Sequence, residues 1–195
     1  MQITSVALLL ASFASALPTT SLEITNIARS IVARAPPEAK ANLKSVASSG
    51  TGCASNSAAF VIKDDAVLGF DSLVVDSTLP AVIKKCLVTI DLQVDPKWKY
   101  TINKVSQIRG YIDNASGSFK AIYTVNGTTS EVSTDIKSSS TSDGNFSIRL
   151  EQNGATSEYG GGISTIDISL ALLRDTTRDG SVAVDSLDIG FGYSK

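Results

Sequence analysis

At 195 residues the chain is long enough for one domain plus a leader and too short for two sizeable cores. Lys and Arg total 17 against 19 Asp and Glu, a net charge of -2, so there is neither a basic face for nucleic acid nor an acidic tail for a basic partner. Histidine is absent, which excludes Ser-His-Asp or Cys-His nucleophilic machinery and any histidine-based zinc site; no cofactor or metal is implied.

Residues 1–16 read as a signal peptide. Val6-Ala7-Leu8-Leu9-Leu10-Ala11 forms the apolar centre, and Ala14-Ser15-Ala16 places small residues where a signal peptidase inspects them. Residues 17–44 read as a pro-segment or flexible arm. Leu22, Ile24, Ile27, Ile31 and Val32 roughly follow a helical period until Ala35-Pro36-Pro37 stops it, and Arg29 or Arg34 could mark a trimming point. No later apolar run is long enough to span a bilayer. The expected product is a secreted, extracellular domain over residues 45–195, without a membrane anchor.

That domain opens on Ser49-Gly50-Thr51-Gly52, followed by Cys53. The second cysteine is Cys86. In an exported chain two cysteines most simply pair with each other, closing a loop worth about 3–4 kcal/mol. The period then becomes two. Ala58-Ala59-Phe60-Val61-Ile62 is one apolar run and residues 66–75 another, with Lys63-Asp64-Asp65 as the turn between. In residues 87–94, Val88, Ile90, Leu92 and Val94 face one way and Thr89, Asp91 and Gln93 the other. Beyond Pro96, Trp98, Tyr100 and Ile102 share a face, expected to be the core face.

Phe119, Ala121, Tyr123 and Val125 alternate next, and Asn126-Gly127 is a hairpin signal. Val132, Thr134 and Ile136 follow, then the polar stretch 138–144, then Phe146, Ile148 and Leu150. After Gly160-Gly161-Gly162, Ile166, Ile168, Leu170 and Leu172 line one side of a long strand. Finally Val182 and Val184 give way to Leu187, Ile189, Phe191 and Tyr193, a change of phase at Asp185-Ser186 that predicts a bulge. Eight or nine strands with frequent turn signals predict an all-β fold, an antiparallel β-sandwich (jelly-roll-like) with one disulfide. Three glycosylation sequons occur at Asn114, Asn126 and Asn145, each in a turn or strand edge.

Several of these residues together resemble a known family. Gly50-Thr51-Gly52-Cys53, Phe70-Asp71, Lys85-Cys86-Leu87 with Ile90-Asp91-Leu92, Pro96-Lys97-Trp98-Lys99-Tyr100-Thr101 and Arg109-Gly110-Tyr111 occur in its order. It is a group of small secreted proteins, abundant in fungi, catalogued as domain of unknown function number 4360. The resemblance is strongest in residues 48–113. Past residue 141 it is carried only by the Ile166-Asp167-Ile168 strand, and the family's later Trp-Ser-Pro-Cys-Gly stretch has no counterpart. It implies secretion and a β-rich fold, and brings no catalytic residues.

Carboxylates are the remaining candidate acids and bases: Asp64, Asp65, Asp71, Asp91, Asp95, Glu131, Asp135, Glu151, Glu158 and Asp167. A facing pair about 5–10 Å apart could cleave glycosides; Asp91 and Asp167 stand out because each lies mid-strand between apolar neighbours. Asp175 and Asp179-Gly180 read as an ordinary acidic turn rather than a calcium loop. Trp98, Tyr100 and Tyr111 could stack on sugar rings if they lay exposed on one sheet, and Arg109, beside Tyr111, is expected to reach solvent more readily than Trp98. The preferred reading is a non-enzymatic binding or surface-interaction module whose partner is a cell-wall glycan or an extracellular protein. The alternatives are a carboxylate-dependent polysaccharide-active enzyme and a cell-wall-associated structural protein.

Overall fold

The computed structural model describes residues 35–55, 59–62, 66–78, 82–137, 144–151, 153–173 and 179–195. Residues 1–34, where a signal peptide and most of the arm are expected, residues 63–65, where a turn is expected, and Asp175 lie outside the described residues. Among the described residues there is no α-helix, and every strand pairing is antiparallel. The first sheet contains β1 (Asn42–Gly50), β5 (Ile83–Gln93), β7 (Ser116–Val125), β8 (Thr128–Lys137) and β11 (Gly161–Leu173), ordered β1-β5-β11-β7-β8. The second contains β2 (Ala59–Ile62), β3 (Ala66–Gly69), β4 (Val74–Asp76), β6 (Lys99–Asp113), β9 (Gly144–Glu151), β10 (Ala155–Thr156) and β12 (Ser181–Ser194). Its spine is β10-β6-β12-β3-β2, with β9 beside β6 and β4 beside β12. The boundary drawn at residue 45 falls inside β1, where Leu43 is already buried.

The two sheets pack face to face because one side of each strand is apolar. Val88, Ile90, Leu92 and Val94 of the first sheet, with Phe119, Ala121, Tyr123 and Val125, are buried against Ile102, Ile108, Ile112, Leu187 and Ile189 of the second. Each such aliphatic side chain stabilises the fold by roughly 1.5–3 kcal/mol. The Asn126-Gly127 turn, with φ of 45° and 81°, closes the β7–β8 hairpin as a two-residue turn with both central residues left-handed. The expected bulge is also present: the β6–β12 register shifts between Val184 and Ser186. One expectation changes in detail. The apolar run 66–75 is two strands, because the chain breaks away after Gly69. The Phe70 amide donates to the carbonyl of Asp185 in the bulge (2.9 Å), and the Val184 amide donates to Leu73 (3.0 Å).

Cys53 and Cys86 form the expected disulfide, Cα atoms 5.4 Å apart and both residues fully buried. It sits where the chain leaves β1 for the second sheet. Gly50, paired with Cys86, has φ of 151°, and a Cβ there would lie 2.2 Å from the Lys85 carbonyl oxygen. Thr51 Oγ1 accepts the Lys85 amide (3.0 Å), and the Gly52 amide donates to the Lys85 carbonyl (2.8 Å). The Gly-Thr-Gly-Cys motif is thus a corner in which only glycine lets the backbone close onto β5.

Tyr100 is buried, as expected, and its hydroxyl donates to the Gly162 carbonyl (2.9 Å), joining the sheets at one end. Trp98 is only half-buried at that end, with the Lys195 ammonium 5.2 Å from its ring centre. It stands just before β6, outside the regular alternation that buries Tyr100 and Ile102.

Candidate functional site

β6 lies between β9 and β12, and its outward residues form the middle column of a platform on the second sheet. Tyr100, Ile102, Ile108 and Ile112 point inward; Gln107, Arg109 and Tyr111 point outward by the period of two. The register sets three rows across the strands. Tyr111 lies opposite Asn145 of β9 and Ala183 of β12, with Val74 of β4 beyond; Arg109 lies opposite Ser147 and Ser186; Gln107 lies opposite Arg149 and Asp188.

Arg109 makes a bidentate pair with Asp188, Nη1 to Oδ1 at 2.8 Å and Nη2 to Oδ2 at 2.7 Å. Asp188 is the diagonal neighbour one row away, a spacing that long side chains bridge. The Arg109 side chain is 46% exposed and that of Asp188 only 13%, so the fork is anchored from below with one edge towards solvent. Arg109 Nη2 also donates to Gln107 Oε1 (3.2 Å), and Gln107 Nε2 donates to Ser147 Oγ. Arg149 pairs with Glu151 (2.9 Å) at the platform edge. Next to this planar polar network Tyr111 keeps 44% of its surface in solvent, beside the small Ala183.

Gly110, between Arg109 and Tyr111, makes the close packing beneath possible. A Cβ at this position would lie 2.0 Å from the Ala183 carbonyl oxygen and 2.8 Å from Cζ of Phe146. The Arg-Gly-Tyr motif therefore combines an inward contact that excludes a side chain with two outward side chains on the platform. Asp188 was not among the carboxylates singled out in the sequence. It lies between Leu187 and Ile189 just as Asp91 and Asp167 lie between apolar neighbours, and only the register across the bulge brings it to Arg109.

Asp91 and Asp167 both lie on the outer face of the first sheet, but opposite Ile163 and Leu87 respectively. Four positions along the strands separate them by about 13 Å, beyond the spacing of a glycosidase pair. Glu131 is held by Lys120 (2.8 Å), Asp135 by Lys137 (3.3 Å), and Glu151 by Arg149. Asp71 accepts from Ser72 (3.2 Å), and Glu158 is exposed; Asp64 and Asp65 are outside the described residues. Asp95 accepts the Lys97 amide (3.1 Å) and pairs with Lys40 (3.4 Å), and its carboxyl is held below the usual carboxylate value, chiefly by that amide. At the Asp179-Gly180 turn, Ser77 Oγ donates to Asp179 (3.4 Å) and accepts the Gly180 amide (3.0 Å).

The sequons occupy different settings. Asn114 and Asn126 are turn residues with φ of 45°, and their side-chain amides donate to the carbonyls of Asp179 (3.0 Å) and Gly161 (3.4 Å). Asn145 is exposed on β9, an edge strand, facing the same side as Tyr111.

No curated protein matches the chain. Among solved structures, TmCBM61 in complex with beta-1,4-galactotriose is similar at 9% identity and a TM-score of 0.32, over 64% of this chain and 86% of that one. The enzymatically active domain of bacteriophage CBA120 tailspike protein 4 is similar at 12% identity and a TM-score of 0.27, over 77% of this chain and 19% of that one. The family correspondence is far broader and runs past the 48–113 stretch through the second half of the sandwich. With residues 39–194 matching it, the chain belongs to the family described as a domain of unknown function, DUF4360.

Proposed function

We propose that this protein is an exported, non-enzymatic module that binds a carbohydrate chain on the outer face of its second sheet. One observation carries the reading: the exposed Tyr111 projects from the same face of β6 as the Arg109–Asp188 fork and Gln107, two rows or fewer away. Saccharides offer apolar ring faces to an aromatic side chain and equatorial hydroxyls to planar, bidentate polar groups. The rows span about 13 Å along β6, room for two or three sugar rings, and a surface held by three paired strands loses little entropy on binding. Export is supported by the apolar leader with its Ala-Ser-Ala end and by a buried disulfide of the kind that persists in oxidising compartments. A cell-wall polysaccharide is the partner that fits both properties.

The test is retention of the mature protein, stripped of any N-glycan, on insoluble and arrayed cell-wall polysaccharides. Wild type is expected to be retained, with Tyr111→Ala and Arg109→Ala each weakening binding by up to about tenfold, the scale of one lost stacking or bidentate contact. If no polysaccharide retains the wild type, or both variants bind as well as it does, the proposal fails.

A further inference from the structure

We infer that Asn145 carries an N-linked glycan whose first sugar packs on Tyr111, so that the protein's own modification covers the platform and gates it. Three independent features converge. Asn145-Phe146-Ser147 is a sequon. Asn145 and Tyr111 are cross-strand partners, and directly opposite residues project side by side from one face at about 5 Å. Both are exposed, and Tyr111 has only Ala183 on its other flank, which leaves the ring face open to a sugar.

The other two sequons lack this arrangement. Asn114 and Asn126 use their side-chain amides on backbone carbonyls and sit in tight turns, with no aromatic residue in the opposed position. Asn145 also lies on the edge strand β9. A bulky glycan there would shield an edge that could otherwise pair with another chain.

The chemistry is transfer of an oligosaccharide from a lipid-linked diphosphate donor. The Asn145 Nδ2 forms a bond to the anomeric carbon, the anomeric carbon–oxygen bond to the diphosphate breaks, and the amide loses one proton to the transferase. The linked sugar lies within reach of Tyr111 and overhangs Arg109 one row away. The gating part of this inference rests on the carbohydrate-binding reading; the stacking part does not.

The full chain is exported from an N-glycosylating host as wild type, Asn145→Gln, Tyr111→Ala and the double variant. Glycopeptide mass spectrometry is expected to find Asn145 occupied. The glycan should raise the melting temperature by about 2–4 °C in the wild-type background, the size of one aromatic stacking contact in a domain this large, and by almost nothing in the Tyr111→Ala background. An unmodified Asn145, or an equal gain in both backgrounds, overturns the inference. Asn145→Gln should also be retained several-fold better than wild type on polysaccharide, and equal retention overturns the gating. If no variant is retained at all, the carbohydrate-binding reading falls while the melting cycle still decides whether the sugar stacks.

Discussion

Reduction of the Cys53–Cys86 bridge offers the most quantitative test of how the sandwich is held. The cysteines are 33 residues apart, and the chain-entropy relation for a loop of that length gives about 3.7 kcal/mol at 25 °C. Reduction is preferable to substitution, because both side chains are fully buried and truncation would add a cavity contribution of its own. The assay is urea unfolding followed by circular dichroism, with and without a phosphine reductant. With a slope near 2 kcal/mol/M, the reduced protein should unfold at a urea concentration lower by about 2 M. Coincident curves would refute the reasoning. The corner at Gly50 and Thr51 would then be held by its hydrogen bonds to Lys85 alone, and the bridge would add nothing to the folded state.

Other outcomes follow from local geometry. Gly110→Ala is expected to lose about 3 kcal/mol in the same urea assay, the upper end for overpacking, since its Cβ would strike a backbone carbonyl; a loss below about 1 kcal/mol contradicts the packing described. Tyr123 Oη and Ser106 Oγ are buried in the core without a well-formed hydrogen bond, and burial pushes the Tyr123 phenol up. The double variant Tyr123→Phe, Ser106→Ala should therefore be neutral or more stable by about 1 kcal/mol, and clear destabilisation would show that the pair matters. Asp95 is depressed in the folded state, first by the Lys97 amide and then by Lys40. Its contribution should be full above the ordinary value of 3.8 and vanish as pH falls through the lower folded value. Melting temperatures of wild type and Asp95→Asn should accordingly converge as pH falls below 3.8, and a gap that stays constant as the medium is made progressively more acidic would disprove the linkage.

The fold was legible where burial alone dictates the pattern. Val88, Ile90 and Leu92, or Ile166, Ile168 and Leu170, announce strands because a period of two is the only way to bury one side of an extended chain. Asn126-Gly127 announces its turn because both residues tolerate positive φ. Even the bulge at Asp185-Ser186 shows as a change of phase. The platform was legible only in part: Arg109 could be picked out as an outward residue and Tyr111 as a candidate for stacking on sugar, but not what stands beside them. Asp188 and Asn145 reach β6 through register with strands distant in sequence, and alternation is blind to register. Trp98 met the expectation only in part: its spacing from Tyr100 suggests a shared face, and it does pack against the core, but it precedes the strand and is only half-buried.

The position of β12 has a consequence for biogenesis. It follows β3, β4 and β6 in the chain, yet it runs through the middle of their sheet, bonded to β6 on one side and to β3 and β4 on the other. Until residues 181–194 have been synthesised, those three strands share no common neighbour, and the upstream chain must wait with unsatisfied edges. Assembly of this layer therefore waits for a long-range pairing, and a chain truncated before Ser181 could not complete its second sheet.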